Sequence, residues 1–160
     1  MSREVSQALV LWGVDYSETS RIFTLLTPGR GRISVIAKGV RRKNSGLASL
    51  LASLNHIELV YLWKEGRQVQ TLTDCSLLHG FEALKADLER GSYAAFPLEV
   101  AAKVAGENDP SEALFSTVLQ GLHALEAWRG VAPLHAIWQV WQVLRVAGFA
   151  PSLDVCAHCG

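Results

Sequence analysis

Hydrophobic and polar positions in the first half of the chain fall into short apolar runs separated by polar or glycine-containing breaks. Residues 6–14 are rich in Leu and Val and stop at Asp15-Tyr16-Ser17-Glu18, a polar turn cluster. Residues 21–26 form a second run, ended by Thr27-Pro28-Gly29-Arg30-Gly31, and residues 33–37 a third. Gly accepts positive φ and Pro presets φ near −65°, so this break fits a tight turn, and the flanking runs read as a hairpin. Further on, Ile57, Leu59, Tyr61 and Trp63 share one side of a run whose other side carries His56 and Glu58, the period of a half-buried strand. Lys64-Glu65-Gly66-Arg67 makes the next turn and residues 69–72 the return strand. The stretch 39–53 interrupts the series. It begins basic and leads into Leu47, Leu50, Leu51 and Leu54 at helical spacing. Five short strands with one longer interruption predict a small Greek-key barrel of the OB type.

From about His79 the period becomes helical. Residues 81–89 and 92–105 read as amphipathic segments, with Pro97 either late in a first turn or at a kink. Asp109-Pro110-Ser111-Glu112 has the form of a helix start, with Asp as N-cap, Pro at N1 and Glu at N3. Leu114, Val118, Leu122 and Leu125 mark the apolar face that follows. A last helix from about Pro133 carries Leu134, Ile137, Trp138, Trp141 and Leu144 on one stripe and ends at Gly148 and Pro151. The pattern predicts an α+β chain of two domains, an OB-type five-stranded β-barrel over residues 1–79 and an α-helical bundle over 80–150.

Composition sharpens this outline. With 160 residues, 49% hydrophobic and 19% charged, the chain can bury a core. The formal net charge of zero hides an asymmetry: up to His79 there are ten basic and six acidic residues, and beyond it five and nine. Zero net charge on its own argues against a nucleic-acid binder, but a basic half beside an acidic half suggests one basic binding face and one neutral or acidic partner face. Three cysteines make no disulfide framework, and neither a secretory signal nor a membrane span is visible. A soluble, reduced, cytoplasmic protein is expected.

Arg30, Arg32, Lys38, Arg41, Arg42 and Lys43 lie within fourteen residues. Such side chains displace counterions from phosphates and supply sequence-independent affinity for nucleic acid. A solvated charged loop is the other reading, and the OB context favours the first. In an extended segment Arg30, Arg32 and Lys38 would share a side. Trp12, Tyr16, Phe23, Tyr61 and Trp63 are candidate stacking platforms; Tyr16, in a polar turn, is the best exposed, whereas Trp12, Phe23 and Trp63 read as core or half-core. Cys156 and Cys159 have the spacing of a zinc knuckle but supply half of a tetrahedral site. His158 is poorly placed between them, Cys75 and His79 read as structural residues at the barrel exit, and His123 and His135 as ordinary helix residues. With the partner thiolates absent, a frayed tail after Pro151 and no stoichiometric zinc in the monomer are expected. There is no HExxH pair, P-loop or GxSxG elbow, and no catalytic role is expected.

The segments Asp15-Tyr16-Ser17-Glu18-Thr19-Ser20-Arg21-Ile22, Leu25-Leu26-Thr27, Gly31-Arg32-Ile33 and Ala37-Lys38-Gly39-Val40-Arg41-Arg42 resemble the N-terminal barrel of the RecO family of bacterial DNA-repair proteins. Leu72-Thr73-Asp74, the stretch 84–93 and the CxxC after Pro151 extend the resemblance over essentially the whole chain. The resemblance implies an OB barrel, a helical domain and, over 151–160, the start of a zinc-binding region that is incomplete here, with zinc possible in a longer parent. It implies a nucleoid-associated, non-enzymatic mediator of recombinational gap repair. Such a protein binds single- and double-stranded DNA, anneals strands coated by single-strand-binding protein, and works with RecR to load RecA. DNA contacts are then expected from Tyr16, Arg21, Arg30, Arg32, Lys38, Arg41, Arg42 and Lys43. The helical half, with Trp128, Trp138 and Trp141 close in sequence, would offer a groove for the acidic-apolar tail of single-strand-binding protein, anchored by Lys103, Arg129 or Arg145. A protein-binding adaptor whose basic barrel docks an acidic partner is the alternative, and an OB-containing nuclease or ligase fragment a third.

Overall fold

The computed structural model describes residues 1–42, 45–151 and 156. The elements run β1 (Ser2–Asp15), β2 (Arg21–Thr27), β3 (Gly31–Ala37), α1 (Leu47–Leu50), β4 (His56–Trp63), β5 (Val69–His79), α2 (Glu82–Lys85), α3 (Leu88–Val104), α4 (Glu112–Ala127) and α5 (Ala132–Val146). The strands make an OB-type sheet in the order β1-β2-β3-β5-β4, in which β3 and β5 are parallel and β1 pairs with both β2 and β4. The long β1 makes this possible. Its first half lies along β4, from Ser2 opposite Trp63 to Leu9 opposite His56, and its second half along β2, ending with Asp15 opposite Arg21.

Two cores follow from the alternation of side chains along the strands. Ala8, Val10, Phe23, Leu25, Val35, Ile57, Leu59 and Tyr61 fill the inside of the sheet. Leu9, Leu11, Leu26 and Leu54 point the other way and join Phe81, Leu84, Leu98, Leu114, Val118, Leu122 and Leu125 in a second core against the helices. Residues 8–11 are therefore buried on both faces, which is why they read as an unbroken apolar run.

Several sequence expectations change at the helices. The segment expected at 92–105 begins at Leu88, because Asp87 caps it by accepting the Arg90 N–H at 3.0 Å, and Pro97 lies buried in its interior. The α4 cap is Ser111, not Asp109: Ser111 Oγ accepts the Leu114 N–H at 3.4 Å, and Pro110 stays outside the helix. Asp109 belongs instead to the α3–α4 loop, which docks on the β2–β3 hairpin. Arg32 N–H donates to the Gly106 carbonyl and Ser111 N–H to that of Pro28, each at 3.0 Å. Gly31 permits this approach: its φ is +59°, and a Cβ there would stand 2.2 Å from the Asp109 carbonyl oxygen.

The largest departure is α5. Its buried residues are Ala132, His135, Ala136, Gln139 and Val143. The stripe read from the sequence faces outward, with Leu134, Ile137 and Trp138 each more than half exposed. The glycine at 121 lets α4 and α5 approach closely and makes room for Gln139, since a Cβ there would overlap the Gln139 side chain. Gln139 Nε2 donates to the Thr117 carbonyl at 2.7 Å and is thereby satisfied inside the bundle.

Candidate nucleic-acid interface

The basic residues expected to act together are divided between the two ends of the β2–β3 hairpin. Seven-residue strands place these ends ~20 Å apart at ~3.3 Å per residue. At the closed end Arg30 is engaged within the fold. Its guanidinium donates to Glu4 at 2.7 Å and lies 4.1 Å from the centre of the Trp63 ring. Tyr61 O–H donates to the same carboxylate at 2.9 Å. Burial alone would raise the Glu4 pKa, but the hydrogen bonds from Arg30 and Tyr61 outweigh it and hold Glu4 below its ordinary value. Burial and the Glu4 bond push the Tyr61 phenol up to about 12, so it stays a donor throughout the neutral range. Arg32 is engaged as well: it donates to the Ala102 carbonyl at 2.7 Å and to the Glu107 carboxylate at 3.1 Å. These two arginines fasten β1 and the α3–α4 loop to the hairpin, so their charges are engaged within the fold while Lys38 is exposed at the other end of β3.

At the opposite end the β1–β2 turn and the segment after β3 lie together. Arg41 N–H donates to the Thr19 carbonyl at 3.2 Å and its guanidinium to the Ser17 carbonyl at 3.1 Å. Asp15 lies beneath, 2.9 Å from Arg21 and 3.4 Å from Arg41. Arg21 also donates to the Gly13 carbonyl at 3.0 Å and sits 5.5 Å from the centre of the Phe23 ring. One carboxylate thus orients two arginines, leaving a positive excess. Lys38 and Arg42 are exposed beside them and have no ion pair among the described residues. Tyr16 stands over the turn, 65% exposed. Lys43 lies outside the described residues. The assembled surface is therefore Tyr16, Arg21, Lys38, Arg41 and Arg42, on loops at one end of the sheet. Cations on two adjacent loops with an exposed ring suit backbone phosphates and a stacked base. Of the other aromatic residues, Phe23 and Tyr61 are core, Trp63 half-buried, and Trp12 exposed where half-core was expected, since it borders an open groove under α3.

The three expected partner anchors are not gathered. Lys103 lies by Glu99 on that groove of about 560 Å³ between the sheet and α3. Trp128 is near the other end of α3, where Arg90 donates to the carbonyls of Glu126 and Trp128. Thirteen residues of helix at ~1.5 Å each separate Arg90 from Lys103 by ~20 Å. A separate, almost wholly apolar pocket of about 460 Å³ is lined by Ala124, Trp128, Leu134, His135 and Trp138. Arg129 follows Trp128, and Arg145 lies in the last turn of α5. His135 is buried between the two indoles, neither ring nitrogen is hydrogen-bonded among the described residues, and burial lowers its pKa.

Cys156 is exposed, while Cys159 and His158 lie outside the described residues, as does most of the tail after Pro151. Cys75 is buried and its thiol is pushed up to about 11 by that burial and by Asp74, which suits a structural role. The one cluster of three metal-capable side chains among the described residues is elsewhere: His79, His123 and Glu126. The sequence reading passed over it because His79 is remote in sequence from the other two. Its only local signal is the spacing of His123 and Glu126, three residues apart on one helix face.

The described residues contain no helix long and apolar enough to cross a membrane. Residues 1–81 match the family described as recombination protein O, N terminal, and residues 85–160 its C-terminal counterpart. Among curated relatives, proteins named DNA repair protein RecO are similar along almost the full chain. That of Heliobacterium modesticaldum is 36% identical over 157 residues, covering 97% of this chain and 55% of the relative. That of Nocardioides sp. is 39% identical over 161 residues, covering 96% and 63%, and that of Anaeromyxobacter dehalogenans 33% over 162 residues, covering 100% and 63%. This chain thus spans between 55% and 63% of the length of these relatives. With both family regions matched in order and the OB-type sheet and helices in place, the chain belongs to the recombination protein O (RecO) family.

Proposed function

We propose that this chain is the DNA-gripping portion of a non-enzymatic recombination mediator acting in gap repair at the bacterial nucleoid. Its relatives carry the name DNA repair protein, and the observation that supports the reading most is the loop-borne surface of Tyr16, Arg21, Lys38, Arg41 and Arg42. Phosphates of single or double strands bind there without base-specific contacts, because the surface is long-reaching cations with a single exposed ring. Strand annealing, RecA loading and cooperation with RecR would build on that grip. The test compares a double charge reversal at one end of the sheet with a neutralisation at the other. Arg41→Glu with Arg42→Glu should weaken binding to every oligonucleotide sequence, whereas Arg30→Gln should leave affinity nearly unchanged and lower thermal stability instead. Unchanged DNA affinity in the first variant would turn the reading toward an acidic protein partner.

The partner side of the same reading rests on the pocket between α4 and α5. An acidic-apolar tail, as single-strand-binding protein is expected to present, would insert its apolar end between Trp128 and Trp138 with Arg129 near its carboxylates. A saturable change in tryptophan fluorescence on titration with such a peptide, lost in Trp138→Ala, is the expected result. A folded protein with no saturable change would leave the pocket without this role.

A further inference from the structure

Where β5 ends, the sheet meets α4 through a compact set of side chains. His79 Nε2 lies 2.8 Å from a Glu126 carboxylate oxygen, and the His79 and His123 ring centres are 4.8 Å apart. One ligand atom from each of His79, His123 and Glu126 lies within 4.8 Å of the other two. Phe81 packs against both imidazoles, with ring centres 4.4 Å and 4.9 Å away, and walls the set on one side. A hydrogen bond between sheet and helix accounts for His79 and Glu126. It does not account for His123, which is exposed yet turned toward the pair and makes no hydrogen bond among the described residues.

We propose that His79, His123 and Glu126 form a transition-metal site of the zinc class that ties the end of β5 to α4. Two imidazoles and a carboxylate are a donor set suited to zinc, and they leave a fourth position to water. Calcium and magnesium prefer all-oxygen shells, so the imidazoles select against them. Ligand atoms bound to one tetrahedral zinc at about 2.0–2.1 Å stand roughly 3.3 Å apart. The present separations, 2.8 Å between His79 and Glu126 and at most 4.8 Å across the set, bracket that spacing. The parts are anchored: His79 is in the sheet, opposite His56 of β4, and the Glu126 carbonyl accepts from Arg90 at 3.1 Å. His56 stays outside the ligand set, since its Nε2 is 3.1 Å from Gln7 Oε1. The ligand set contains no cysteine of the tail, and a zinc here departs from the expectation of no stoichiometric zinc.

The test titrates zinc chloride calorimetrically into the tag-free chain carrying Cys156→Ser and Cys159→Ser, so that tail thiolates cannot contribute. One zinc per chain is expected, along with a higher Tm because the ion binds the folded form. Cobalt(II) in its place should show visible d–d bands without a thiolate charge-transfer band. Adding His123→Ala, at an exposed position, should weaken the affinity roughly tenfold or more, since even outer partners of ligands cost that much. Glu126→Gln should do the same, with circular dichroism checking the fold of each variant. No saturable zinc binding to the folded double-serine chain, or binding unchanged by His123→Ala, overturns the proposal.

Discussion

Arg30 and Arg41 look alike in a count of basic residues, and their surroundings give them different work. Arg30 is half-buried against Trp63 with Glu4 fixed on it, so removing it leaves a carboxylate beside Tyr61 without its counter-charge. Arg41 is anchored by backbone carbonyls and shares one carboxylate with Arg21, so its charge remains available. Neither distinction was legible in the sequence, because Glu4 and Glu107 reach the hairpin from 26 and 75 residues away. The histidines carry a second residue-scale consequence. Burial lowers the pKa of His56, with His123 and His79 adding to the shift, and burial also lowers that of His135. A lowered folded value means the fold prefers the neutral ring. That stability is present above the ordinary 6.5 and is lost as pH falls through the lowered values. Urea unfolding should therefore show falling stability between about pH 7 and pH 5, before Glu4 begins to titrate. His135→Leu should reduce that slope, and a flat profile for the unsubstituted chain would contradict the assignment.

At the scale of elements, the strands were legible and the last helix was not. Residues 57–63 alternate cleanly because one face of β4 fills the sheet, and Asp15–Glu18 and Thr27–Gly31 break where the turns form. In α5 the largest apolar residues misled. Periodicity shows that Leu134, Ile137, Trp138 and Trp141 share a stripe, but not that Gly121 of α4 makes room for Gln139 on the buried face with Ala136 and Val143. The α3–α4 loop is another non-local effect, since its docking depends on Gly31 of the hairpin. Gly31→Ala would impose a Cβ at φ +59° and against the Asp109 carbonyl. It should destabilise the protein by at least about 1–3 kcal/mol in denaturant unfolding. An equal stability for this variant would show that the loop does not bear on the hairpin as described.

The molecule as a whole is electrically neutral because its two halves cancel, and the surface proposed here for DNA is one end of the OB-type sheet and not the whole basic half. That location follows the sheet order: β1 pairs with β2 as far as Asp15, and β3 delivers Lys38 and Arg41 to the same end. The opposite end is occupied by the α3–α4 loop. The relatives are longer, and Leu134, Ile137 and Trp138 of α5 stay exposed. Salt dependence of single-strand binding tests the central claim most directly. About four phosphate contacts predict a log–log slope of about −3 at roughly −0.7 per phosphate, and Arg41→Glu with Arg42→Glu should reduce its magnitude by about 1.4. A slope near zero, or one that the double reversal leaves unchanged, would contradict the assignment of the DNA grip to this end of the sheet.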